Sequence, residues 1–164
     1  MSSFSLTRIS TPADPLADVV FVHGLFGSPV DTWTNPRGES WANWLTEEHP
    51  DLAVYSFGYP AEGTKWTTKG SGMDIREVSR TAAAYLFERG LLVRPTIWVT
   101  HSLGGLLVKQ MLRNHDLGDT ALKGAWKWTR AVTFLATPHR GSDLAAVVRR
   151  LHLLFQANPN CARS

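Results

Sequence analysis

Three short stretches of this chain carry residues able to do chemistry. Thr100-His101-Ser102-Leu103-Gly104 lies between an apolar run and a helical pattern, the setting in which a tight strand-to-helix turn presents a reactive serine. Such a turn requires small residues two positions either side of the serine. Gly104 meets this on one side, and Thr100 stands where a glycine is expected on the other. The turn lifts the Ser102 hydroxyl clear of the sheet. It also aims a helix N-terminus at the point where negative charge develops in acyl transfer. The backbone N–H of Leu103 is then one donor to that charge, and His23-Gly24-Leu25-Phe26-Gly27 supplies the other from Leu25 or Phe26. The third stretch, Thr137-Pro138-His139-Arg140-Gly141, offers His139 as a base. A glycine-rich turn with a surface serine is the bland alternative. His-Gly closing a second strand favours the nucleophile.

These stretches need elements to hold them. Asp18–Val22, Leu52–Phe57, Thr96–Thr100 and Ala131–Ala136 are short apolar runs of the kind found in buried parallel strands. Between them, Glu39–His49 carries Trp41, Trp44 and Leu45 at helical spacing. Ser71-x-x-Asp74 resembles a capping box and opens a helix with Ile75, Val78, Ala82, Tyr85 and Leu86 on one face, stopped by Gly90. The helix after Ser102 runs to about Asn114 and is apolar nearly all round, hence buried. Ser142 caps a last helix with Leu144, Val147, Val148, Leu151 and Leu154 inward, and Phe4–Ile9 reads as an extra edge strand. Gly58–Lys69, with Trp66, reads as a loop. Strands alternating with helices predict an α/β three-layer sandwich on a mostly parallel sheet, in one domain spanning residues 1–164. Ligands of such sheets sit at the carboxyl ends of the strands. Three of the four ends here hold the stretches named above.

Composition narrows the field. The chain has 164 residues, enough for one core and too few for two. A net charge of +3 falls short of a nucleic-acid footprint. One cysteine, Cys161, closes no internal disulfide. No His/Cys/Asp spacing reads as a metal site, and no phosphate-binding glycine loop is present, so no cofactor is expected. The first residues lack a signal-peptide pattern and no apolar run is long enough to span a membrane, which makes a cytoplasmic location the expectation.

Taken together, Val19–Gly27, Thr32-Trp33 with Trp41–Leu45, Val99–Leu112 and Ala136–Leu144 resemble the α/β-hydrolase superfamily. Within it they are similar to the lipase-like branch of the serine-active-site-containing proteins and the GPI inositol-deacylases, in which Thr or Ser at the position of Thr100 is familiar. The resemblance implies ester hydrolysis through an acyl-enzyme on Ser102, without cofactor, on a small-molecule or lipid ester. It also implies a triad in the order Ser, acid, His. In most relatives the acid and the base follow two further strands after the one ending at Ala136. Only 28 residues follow Ala136 here, and one βαβ unit takes about 30 or more. The expectation is therefore a hydrolase core without its last two strands and without its usual acid and base.

Residues that are present stand in poorly. The helix after Ser102 carries His115, Asp116 and Asp119 to a point roughly 16 Å below the catalytic edge. His152 lies about half a turn out of phase with Asp143 on their helix, roughly 13 Å along it. His101 adjoins Ser102 and should point away from it, whereas His23 can reach the pocket. His139 is at the correct edge, yet relatives with a complete triad carry the same Pro-His-x-Gly-Ser pattern, so it is either a loop-fixing residue or a substitute base. The expectation divides between a serine esterase and a truncated, inactive fold that binds a ligand or partner. In either case the strand at Ala131–Ala136 would be an apolar edge prone to dimer pairing. Of seven Trp, Trp33, Trp41 and Trp44 follow the His-Gly loop and either pack it on the core or wall an acyl pocket.

Overall fold

A computed structural model describes residues 4–61, 74–139 and 153. Five strands, β1 (Ser5–Ser10), β2 (Ala17–Val22), β3 (Leu52–Gly58), β4 (Thr96–His101) and β5 (Thr129–Leu135), form one sheet in the order β1-β3-β2-β4-β5. β2, β3, β4 and β5 run parallel, and β1 pairs antiparallel with β3 at the edge. Every residue of β2 is buried. That is the signature of a strand covered on both faces, and it puts this hexamer, apolar but for Asp18, at the centre.

Side-chain alternation splits the core in two. Val19 and Phe21 of β2, with Val54 and Val99, face Trp33 and Ala42 on one side. Val20 and Val22, with Phe57 and Trp98, face the other side. There α2 (Ile75–Phe87), α3 (Leu103–Arg113) and α4 (Thr120–Trp128) bring Leu86, Leu107, Met111 and Leu122. The helix α1 (Trp41–Glu48) completes the first side, giving the three-layer α/β sandwich that the sequence predicts.

Several details differ from expectation. α4 is a helix that no apolar period announces, because its buried residues are Ala121, Leu122 and Ala125, two of them too small to mark a stripe. Its start is marked instead by Asp119, whose side chain accepts from the N–H groups of Ala121 and Leu122 at 2.8 and 3.4 Å. β5 accordingly begins at Thr129 and ends at Leu135. In α1 it is Ala42 that is buried, while Trp41 and Trp44 are 42% and 48% exposed. Asp74 caps α2 by accepting from Arg76 N–H at 2.9 Å. Ser71, Trp66, Arg140, Ser142, Asp143, His152 and Cys161 lie outside the described residues. Of the last expected helix only residue 153 is described, helical and exposed.

Candidate active site

In the sheet order, β3 and β4 flank β2 on opposite sides, so the chain changes winding direction at β2. The crevice beyond the ends of β2 and β4 is thus the switch point at which open α/β sheets bind ligands. Val22 pairs with Thr100 there, and His101 with Leu135 on β5. The three stretches singled out in the sequence, the third as far as His139, therefore meet at one edge.

Ser102 sits between β4 and α3 at φ 49°, ψ −116°. A residue with a side chain stays in so unfavourable a conformation only where its surroundings impose it, at a cost of order 1–3 kcal/mol. Those surroundings are specific. Ser102 N–H donates to Leu135 O at 2.8 Å, and the Thr100 hydroxyl donates to Thr133 O at 2.8 Å, which explains how Thr fits where Gly is expected. A Cβ on Gly104 would press into the carbonyl oxygens of Val22 and His23. One on Gly24 would lie 2.9 Å from Ser102 Cβ and 2.7 Å from His101 Nδ1. Bare backbone at both positions lets the end of β2 and the Ser102 turn interlock.

The amides around Ser102 divide clearly. Leu103 opens α3, so its N–H has no partner within the helix. Leu25 N–H has no backbone acceptor among the described residues. Phe26, at φ 58°, donates its N–H to Ala61 O at 3.1 Å. Of the two amides left open by the sequence, that of Phe26 is already engaged and that of Leu25 is not.

The histidines do not converge on Ser102. His23 is buried, its Nδ1–H donates to Gly24 O at 2.9 Å, and its Nε2 accepts from Tyr59 N–H at 3.3 Å. The ring stacks on Tyr59 at 4.7 Å between centroids, and the Tyr59 hydroxyl donates to His23 O at 3.1 Å. Burial lowers the His23 pKa, opposed by the bond to Gly24 and reinforced by His101. A neutral ring with both nitrogens occupied clamps the loop; it does not reach into a pocket as the sequence allowed. His101 lies against Gly24 and turns its ring to the cavity described below, and burial lowers its pKa too. His115 Nδ1–H donates to Leu112 O at 3.0 Å near the far end of α3, where the ring stacks on Trp126. His139 Nδ1 is 3.5 Å from Lys109 Nζ and its ring meets Phe134 edge-on at 4.8 Å. Lys109 stands about 10 Å along α3 from Ser102. Among the described residues no histidine hydrogen-bonds the Ser102 hydroxyl.

A cavity of about 390 Å³ opens beside the turn, lined by Leu25, Phe26, Asp31, Trp33, Trp41 and His101 among others. This volume is in the range of small-molecule sites. Trp33 is buried, and its ring stands edge-on to Phe21 and to Trp41 at 5.0 and 6.1 Å. The two indoles thus pack on the core and wall the cavity at once. Among the described residues no group of three His, Cys, Asp or Glu could hold a metal ion, and no helix is long and apolar enough to cross a membrane.

No family model matches the chain. Protein SERAC1 of Danio rerio is 33% identical over 161 residues, an alignment covering 85% of this chain and 24% of that protein. Protein SERAC1 of Homo sapiens is 31% identical over 160 residues with the same coverage, 85% and 24%. The chain thus spans about a quarter of the length of these curated relatives. Among solved structures, a monoacylglycerol lipase of Paleococcus ferrophilus overlaps 96% of this chain and 52% of its own at 20% identity and a TM-score of 0.48. The type II thioesterase BorB overlaps 96% and 62% at 16% identity and a TM-score of 0.49. Overlaps this partial say nothing of chemistry. The chain is an open α/β sheet with a strained serine at its switch point, and over about a quarter of their length it is similar in sequence to the SERAC1 proteins.

Proposed function

We propose that the chain is a serine esterase-type hydrolase domain in which Ser102 is the nucleophile and the amides of Leu25 and Leu103 form the oxyanion hole. One observation carries this reading: Ser102 is held at φ 49° at the switch point, beside two amides with no backbone acceptor among the described residues. In the reaction, Ser102 Oγ bonds to the carbonyl carbon of an ester and gives its proton to a base. The carbonyl oxygen takes up negative charge between the two N–H groups, each worth roughly 10²–10³-fold in rate. The alcohol leaves with a proton, and water then releases the acid from Ser102.

No described histidine hydrogen-bonds the Ser102 hydroxyl to serve as that base. His139 is held on Lys109 and Phe134, and His23 has no free nitrogen. A serine hydrolase stripped of its triad partners retains only about 10³–10⁴-fold over the uncatalysed rate. The 164-residue chain alone should therefore react slowly with a fluorophosphonate, and the adduct should map to Ser102 by mass spectrometry and vanish in Ser102→Ala. Labelling that persists in Ser102→Ala would remove Ser102 as nucleophile. Rapid stoichiometric labelling at Ser102 would instead promote His139 to the working base. That no described residue hydrogen-bonds the Ser102 hydroxyl also favours a second reading, a fold that binds without turnover. Equal hydrolysis of a short p-nitrophenyl ester by wild type and Ser102→Ala would select it.

A further inference from the structure

The cavity beside Ser102 has a chemical character that ester hydrolysis alone does not require. Three aromatic side chains, Phe26, Trp33 and Trp41, contribute to its lining, and Asp31 is the one carboxylate among them. No Lys or Arg is found in that lining. Asp31 is exposed, accepts from the Ser28 hydroxyl at 2.6 Å, and has no cationic partner among the described residues. Ser28 is itself fixed, since its oxygen accepts from Asp31 N–H at 2.9 Å, so the carboxylate is held by a hydroxyl tied to its own backbone. His101, the other titratable group of the lining, stays uncharged at neutral pH because burial lowers its pKa. The lining therefore carries a net negative charge beside aromatic rings. Aromatic rings attract a cation through their quadrupole, and aromatic cages recognise quaternary ammonium groups in this way.

We propose that this cavity binds a quaternary ammonium group between Phe26, Trp33, Trp41 and Asp31, so that the ester presented to Ser102 carries a cationic arm. The inference rests on the esterase reading only for the second half of that statement; binding of the cation does not need Ser102. The cation can belong to a choline ester or to the phosphocholine head of a lipid, which share this chemistry. Leu25 and His101 line the same cavity, and His101 immediately precedes Ser102, which places the cavity next to the turn that the esterase reading makes the reaction centre.

The test is tryptophan fluorescence of the full chain during titration with choline and with its uncharged isostere 3,3-dimethylbutan-1-ol. Choline should bind about 10-fold or more tightly than the isostere, the ratio expected of a cation against aromatic faces. Trp41→Leu, at a position 42% exposed and so tolerant of change, should erase most of that ratio. Asp31→Asn should weaken choline several-fold and leave the isostere unchanged. Butyrylcholine and dihexanoylphosphocholine then separate the sources: binding of the first alone supports a soluble ester, and binding of both supports a lipid head. Equal affinity for choline and the isostere overturns the proposal, as does binding of neither. Ser102→Ala should bind choline as wild type does. Cation binding without labelling of Ser102 would refute the esterase and keep the site, while labelling without cation binding would do the reverse.

Discussion

Replacing Gly104 by Ala tests whether the Ser102 turn is built on backbone contact between α3 and β2. A Cβ there would lie 2.5 Å from Val22 O, 3.0 Å from Val22 C, and closer still to His23 O. These are main-chain atoms and cannot swing aside. Val22 is paired with Phe57 on β3 and with Thr100 on β4, so its carbonyl is fixed from both neighbours. Reaching ordinary contact would push the start of α3 or the end of β2 by close to 1 Å. Overpacking of this kind costs about 1–3 kcal/mol. Against it stands the helix propensity gained from Gly to Ala, about 1 kcal/mol at most. The net expectation is destabilisation of about 1–2 kcal/mol, read from urea unfolding as a lower midpoint at unchanged slope.

The same displacement moves the Ser102 hydroxyl relative to Leu25 N–H, because Gly24 and the turn are in contact. A 1 Å misplacement at a reacting centre costs on the order of 10²-fold. Labelling of Ser102 by a fluorophosphonate should fall by about that factor in protein that is still folded. A Gly104→Ala chain as stable as wild type and labelled at the same rate would refute the interlock, and with it the structural reason for placing Ser102 at the reaction centre.

Two further expectations follow from other groups. Tyr59→Phe keeps the ring stacked on His23 but deletes the hydroxyl bond to His23 O. It should cost about 1 kcal/mol in urea unfolding and slow Ser102 labelling by loosening the loop that carries Leu25; unchanged stability would show that the clamp bears no load. Asp18, at the start of β2, is buried with neither carboxylate oxygen hydrogen-bonded, and Arg94 Nε stands 3.7 Å away. Desolvation, opposed by Arg94, pushes its pKa from 3.8 up to about 6. Since the folded value is the higher one, this group favours folding fully below about pH 4, and that contribution is lost as pH rises through 6. Unfolding free energy should thus drop by about 2 kcal/mol between pH 4.5 and 7.5 on this account. Asp18→Asn should flatten that drop, and an identical pH profile would assign it to other groups.

The strands were legible for a simple reason. β2, β3 and β4 are buried on both faces, so Asp18–Val22, Leu52–Phe57 and Thr96–Thr100 read as mostly apolar runs without the alternation of a half-exposed strand. The Ser102 turn was legible because its backbone demands particular residues, of which Gly104 is the one whose side chain would strike backbone. Helices fared less well where a small residue does the packing. Ala42 lets α1 approach the sheet, and this leaves Trp41 and Trp44 half exposed although their spacing marks them as the inner face. α4 hides behind Ala121 and Ala125 in the same way, with Trp126 outside. For Trp33 and Trp41, core packing and pocket wall were posed as alternatives. A large indole at the rim of a core does both.

The proposed oxyanion donors mark a deeper limit. Leu25 and Phe26 are adjacent apolar residues in one loop, and nothing in their types says which N–H is already bonded elsewhere. The distinction comes from Ala61, beyond β3, whose carbonyl accepts from Phe26 and not from Leu25. That acceptor lies 35 residues away in a stretch without periodicity. It is brought to the loop only by the parallel pairing of β2 with β3 and by Tyr59 stacked on His23. Residue type and local spacing can announce that a loop will offer an amide to a reacting carbonyl. Which amide is left over is decided by the hydrogen bonds the rest of the fold has already made.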